Sequence, residues 1–209
     1  MIAIVEYGVG NLFSLKSSFA AIGADVTVTG DPAQLAAADK ILLPGVGAFE
    51  DAAARLRATG LDRVLKEQAV LGKPLLGICL GMQLLFDKSY EYGEHEGLGL
   101  IPGAVRPIAD VIPEGLKIPH MGWNALNFVG EKHPLFRDLE EGDHVYFVHS
   151  YYAADCEPYV IANAEYGAPL TAAVAKDNVM GCQFHPEKSG DVGLSILRAF
   201  VSMEGGRAC

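Results

Sequence analysis

Basic residues are scarce: 16 Lys and Arg stand against 26 Asp and Glu in 209 residues, a formal net charge of −10. A chain this acidic repels phosphate backbones, which argues against a nucleic-acid partner. Long apolar runs are missing as well. No stretch approaches the roughly 18–20 apolar residues that cross a bilayer, so no membrane segment is expected. The opening run Met1–Val5 ends at Glu6 and is too short for the apolar core of an export signal. Cysteine is sparse. Cys79, Cys156, Cys182 and Cys209 are too few and too scattered to make a disulfide framework in a chain of this length. No Gly-x-x-x-x-Gly-Lys-Ser/Thr occurs, since Gly72-Lys73 runs into Pro74, and a phosphate loop of that kind is excluded. Gly8-Val9-Gly10 begins like a dinucleotide fingerprint, but position 13 is Phe, so the pattern fails. Repeats, low-complexity tracts and linkers are absent too. What remains is a reduced, cytoplasmic, globular enzyme or enzyme subunit, one domain over residues 1–209. Half of its residues are hydrophobic, enough for one well-buried core.

Apolar runs alternate with helical patterns through the first half. Ile2–Glu6 reads as a buried strand, and Asn11 caps a helix over Leu12–Ile22. Asp25–Thr29 and Lys40–Leu43 follow as strands, the second ending at Pro44-Gly45-Val46-Gly47. Two helical stretches near 48–58 and 61–70 precede a strand at Pro74–Cys79 and a helix from Leu80 to Lys88. After Val105 the strands are short and broken by Gly, Pro and Asn: Trp123–Phe128, His144–Tyr152, Tyr159–Ala164, Leu170–Lys176 and Val179–Phe184. A last helix runs over Asp191–Met203. The expected fold is three-layer α/β, a mostly parallel central sheet with helices on both faces and antiparallel additions in the C-terminal half.

Chemistry concentrates at Gly77-Ile78-Cys79-Leu80-Gly81. This is the nucleophile-elbow pattern, with Cys at the centre of a sharp strand-to-helix turn. Glycines two before and two after let neighbouring backbone approach, and the helix N-terminus favours an anionic sulfur. A buried Cys acting as a small hydrophobe is the bland alternative, and the doubly flanked elbow speaks against it. His185-Pro186-Glu187 lies 106 positions on. In an extended segment residues i and i+2 share a side, so Glu187 can brace the His185 imidazole and leave the other ring nitrogen for the sulfur. The elbow supplies one oxyanion donor, the Leu80 N–H, and the Pro44–Gly47 strand end is the obvious source of a second. Cys182, His185 and nearby histidines have no recognisable metal spacing, so neither metal nor cofactor is expected.

These residues resemble the class I, triad-type glutamine amidotransferases. Five stretches are similar, within that family, to the glutaminase subunits of imidazole glycerol phosphate synthase: Tyr7–Leu12, Leu43–Phe49, Pro119–Asn124, Val145–Tyr152 and Gln183–Gly190. The resemblance spans Met1 to about Ala199. It implies that Cys79 attacks the glutamine side-chain amide, that His185 moves the proton, and that a thioester is hydrolysed to glutamate. Val46 matches the second oxyanion N–H, and Gln83, Glu91, Ser150 and Tyr151 match substrate-binding positions. Gly45 and Gly47 would let substrate approach the backbone. The ammonia would pass to a separate (β/α)8-barrel cyclase in a heterodimer, because this chain has no room for a barrel of roughly 250 residues. Asn11, Pro119, Met121, Trp123, Tyr146 and Lys188 match positions at that interface. For Met121 and Trp123 core packing is an equally open reading. A glutaminase serving another synthase, or a non-catalytic module on the same frame, are the rival readings; the intact Cys, His and Glu set and the stretches Pro119–Asn124 and Val145–Tyr152 argue against them.

Overall fold

Alternate residues of the first strands enter two different cores, and this sets the layering. Ala3, Val5, Ile41, Leu43 and Leu75 belong to one apolar cluster; Ile2, Ile4, Leu42, Leu76 and Ile78 belong to the other. A strand buried on both faces needs a helical layer on each side. The computed structural model describes residues 1–204, and Cys209 lies outside the described residues.

The first half of the chain supplies four parallel strands, β1 (Ile2–Val5), β2 (Val26–Thr29), β3 (Lys40–Leu43) and β4 (Leu75–Ile78). Between them run α1 (Leu12–Ala21), α2 (Pro32–Ala37), α3 (Phe49–Thr59) and α4 (Leu61–Val70). Leu35, Phe49, Leu56, Leu61 and Leu65 place α2, α3 and α4 on one face. Leu15 and Phe19 place α1 on the other, beside Ile196, Leu197 and Phe200 of the last helix. Asn11 caps α1 as expected, its side chain accepting from the Ser14 N–H at 3.4 Å. Helix α2 escaped the sequence reading. Its start is nonetheless written there: Asp31 accepts from the Ala33 N–H at 2.9 Å, and Pro32 occupies the first turn.

A short α5 (Leu80–Gln83) follows β4, then β5 (Phe86–Ser89), β6 (His95–Glu96) and β7 (Ile101–Pro107). The expected helix over Leu80–Lys88 is therefore four residues long; Leu84 and Leu85 turn the chain, and from Phe86 it is a strand pairing parallel with β7. Met82, Leu84, Leu85 and Phe86 are all buried, so the run carries no face that separates helix from strand. The second half supplies β8 (His120–Ala125), β9 (Asn127–Phe128), β10 (His144–His149), β11 (Tyr151–Ala154), β12 (Val160–Glu165), β13 (Pro169–Lys176), β14 (Val179–Cys182) and α6 (Gly190–Ser202). The eight-stranded sheet runs β2-β1-β3-β4-β14-β13-β12-β9. It is parallel through β14 and antiparallel beyond it. Strands β10 and β8 form a separate pair, and β11-β7-β5-β6 form a third sheet. The expected single strand His144–Tyr152 is thus two strands in two sheets, and Trp123–Phe128 is likewise divided. No helix is long and apolar enough to cross a membrane among the described residues.

Candidate active site

Three adjacent strands, β3, β4 and β14, deliver the site from their carboxyl ends, where open α/β sheets place their ligands. Cys79 stands between β4 and α5 with φ 54° and ψ −112°, a conformation L-residues avoid. Its N–H donates to the Cys182 carbonyl at 2.7 Å, which ties the elbow to β14. The flanking glycines are required by space. A Cβ on Gly77 would lie 2.6 Å from the Gly81 carbonyl oxygen, and one on Gly81 would overlap the Leu43 carbonyl. Leu80 opens α5, so no helix carbonyl reaches its N–H.

His185 and Glu187 meet as expected, Nδ1 to Oε1 at 2.8 Å, with both side chains almost fully buried. The backbone reason differs. Pro186–Lys188 is a 3-10 turn rather than an extended segment, and the turn folds the carboxylate back onto the ring. With Nδ1 engaged, Nε2 is the nitrogen left for the sulfur. Burial pushes the His185 pKa down, but hydrogen bonding and charge from Cys79 and Glu187 outweigh it and raise the ring to about 9. A charged imidazole next to a cysteine is the pairing that nucleophilic cysteine chemistry uses.

Pro44–Gly47 leaves β3 alongside the elbow. Gly45 packs so tightly that a Cβ there would stand 2.8 Å from the Gly81 nitrogen and 3.0 Å from the Tyr7 hydroxyl oxygen. Gly47 takes φ +97°, and Val46 is half-exposed. Tyr7, which sequence reasoning left without a role, donates its hydroxyl to the Pro44 carbonyl at 2.7 Å and pins this strand end. Burial, with the nearby Cys79, pushes its pKa up.

A cavity of about 580 Å³ opens at the sulfur. It is lined by Val46, Gly47, Cys79, Leu80, Gln83, Glu91, Ser150, Tyr151, His185 and Lys188 among others, so most expected catalytic and substrate residues converge there. Gln83 donates to the Tyr151 carbonyl at 3.2 Å and to Gln183 at 3.0 Å. Gln183, fully buried and not anticipated, also reaches the Cys79 sulfur at 3.7 Å. Glu91 accepts from the Phe49 N–H at 2.6 Å, so its carboxylate caps α3 while facing the cavity. Of the expected partner positions, Met121 is 64% and Trp123 53% exposed, which rules out core packing for both. Pro119 and Lys188 line the cavity, and Tyr146 lies edge-on to Trp123 at 6.0 Å.

The model of the family "Glutamine amidotransferase class-I" matches residues 3–203. The chain is 53% identical over 203 residues to "Imidazole glycerol phosphate synthase subunit HisH" of Sulfurimonas denitrificans, covering 96% of this chain and 97% of that one. It is 50% identical over 210 residues to the protein of the same name from Geobacillus thermodenitrificans, covering 99% and 98%. Among solved structures, PurLQS from Thermotoga maritima superposes with TM-score 0.75 at 20% identity, covering 96% of each chain. A crystal structure of a glutamine amidotransferase superposes with TM-score 0.74 at 19% identity, covering 96% of this chain and all of that one. These last two share the fold. The chain belongs to the class-I glutamine amidotransferases, in the branch that holds the HisH subunits of imidazole glycerol phosphate synthase.

Proposed function

We propose that residues 1–209 form one amidotransferase domain, the cytoplasmic glutaminase subunit of an imidazole glycerol phosphate synthase. The Cys79 sulfur attacks the side-chain carbonyl carbon of glutamine. The oxyanion is held by the Leu80 N–H and by the Val46 N–H. His185, protonated at neutral pH, gives its proton to the departing nitrogen, so ammonia leaves and a thioester remains. The neutral ring then takes a proton from water, which adds to the thioester; collapse expels the sulfur and releases glutamate. Glu187 keeps the ring oriented through both halves and stabilises it whenever it carries the proton. Gly45, Gly47, Gln83, Glu91, Ser150 and Tyr151 form the substrate pocket, with Glu91 meeting the substrate ammonium.

Ammonia passes to a separate (β/α)8-barrel cyclase, the other half of a heterodimer. Asn11, Pro119, Met121, Trp123, Tyr146 and Lys188 face it. Exposed Met121 and Trp123 support an interface, since aromatic and Met side chains are enriched at such contacts. The observation that carries this reading is the near-full-length 53% identity to a subunit of that synthase. Glutamate release measured on the chain alone, with empty cyclase and with nucleotide-loaded cyclase tests it. Turnover should be low alone and highest with the loaded cyclase; equal rates in all three would sink it.

A further inference from the structure

His149 and His120 lie opposite each other in the β10–β8 pair and are both buried. His149 lines the cavity. Its Nδ1 meets the Tyr151 carbonyl at 2.8 Å, the same carbonyl that receives Gln83. Its Nε2 meets His120 Nδ1 at 3.0 Å. His120 Nε2 in turn meets Asn124 Oδ1 at 2.7 Å, and Asn124 Nδ2 donates to the Glu165 carbonyl at 2.9 Å. The His120 ring is stacked on Tyr166 and on Phe147, at centroid distances of 4.1 and 5.0 Å, which holds it in place. Both rings are almost fully buried.

The protons in this chain can be counted. Four contacts run from the Tyr151 carbonyl to the Glu165 carbonyl, and each needs one hydrogen. Two neutral imidazoles bring two N–H groups, and the Asn124 amide can aim one N–H along the chain in either orientation. That makes three hydrogens for four contacts. Burial draws the pKa of both rings down, so a fourth hydrogen from solution is disfavoured. One contact must therefore place acceptor against acceptor, and each choice of open contact fixes the tautomers of the rest.

We propose that Asn124, His120 and His149 form a hydrogen-bond relay one proton short, in which closure at the Asn124 end of β8 competes with closure at the Tyr151 carbonyl. His149 is thus a positioning residue for the Gln83 wall of the glutamine pocket. Met121 and Trp123 sit within the same six-residue strand as His120 and Asn124, so a partner bearing on β8 can select which contact stays open. That last step, and the substrate named, rest on the function proposed above; the proton count does not.

The test is ring-nitrogen NMR on histidine-labelled chain, wild type against Asn124→Ala, together with the kinetics of glutamine hydrolysis in the complex. In wild type two of the four ring nitrogens should carry hydrogen, with His149 divided between tautomers. Asn124→Ala removes the competing acceptor, so His149 Nδ1 should become fully protonated. KM for glutamine should then fall a few-fold, about what one hydrogen bond changes, with kcat within about twofold. His120→Phe keeps the ring stack and frees His149 in the same way, so it should shift tautomer and KM in the same direction. Three ring hydrogens in wild type, or identical His149 tautomers in wild type and both variants, would overturn the relay. A wild-type chain inert toward glutamine in the complex would overturn the proposed function and leave the NMR count standing.

Discussion

Glu187 touches His185 across one turn, Oε1 to Nδ1 at 2.8 Å, while its other oxygen, Oε2, is buried without a partner. The carboxylate therefore spends its charge on one ring. Glu187→Gln can keep the hydrogen bond but loses that charge, so His185 loses one of the influences that hold it near 9. The alkaline limb of glutamine hydrolysis should move to lower pH, and kcat should fall about tenfold to a hundredfold. A pH–rate profile of the variant checks both, and an unmoved limb contradicts the assigned role.

Stability should follow the same group. The folded pKa of His185 is raised above its ordinary 6.5 to about 9, so the folded state binds this proton more tightly than the unfolded chain. The contribution is fully present below about pH 6.5 and is lost as pH rises through about 9. Urea midpoints measured across that window in wild type and in His185→Ala should converge toward the alkaline end, because only wild type has this contribution to lose.

The elbow tolerates no side chain at position 81. A Cβ there overlaps the Leu43 carbonyl, and rigid strand backbone cannot give way. Gly81→Ala should cost more than about 4 kcal/mol or leave no folded protein. Gly23→Ala is the control. Its Cβ would meet nothing within 4 Å, so only its φ of +73° opposes the change, at about 1 kcal/mol. Thermal melts of the two variants separate the two effects.

Lys188 follows Glu187, and pairing between these neighbours looks awkward if the segment is extended. The segment is a 3-10 turn, yet Lys188 still points elsewhere. Its ammonium lies 5.8 Å from the centroid of the Tyr146 ring and makes no ion pair among the described residues. A cation held over an aromatic ring at the rim of the cavity suits an acidic group on a partner. Lys188→Ala should weaken cyclase binding by roughly 2–5 kcal/mol and leave basal turnover of the isolated chain intact. Titration against the cyclase, read by affinity and stimulated turnover, decides it.

How far the sequence reaches can be judged from single residues. Cys79, His185 and Glu187 were legible because each is bound to a local pattern: glycines two away, or a partner two positions on. The β1–β4 strands were legible because four-residue apolar runs buried on both faces have little else to become. The run after Gln83 was not, since residues apolar on every side give no period. Gln183 against Cys79, Tyr7 against Pro44 and His120 against His149 are contacts between residues 104, 37 and 29 apart. Those separations close only through sheet order and register, which local pattern does not carry.

The most direct measurement is synthesis by the Cys79→Ala chain paired with the cyclase, fed either glutamine or ammonium salts. Glutamine-dependent synthesis should vanish and ammonium-dependent synthesis should persist at the wild-type level, because only the ammonia supply has been removed. Glutamate release that survives in Cys79→Ala would contradict the assignment of this sulfur as the nucleophile.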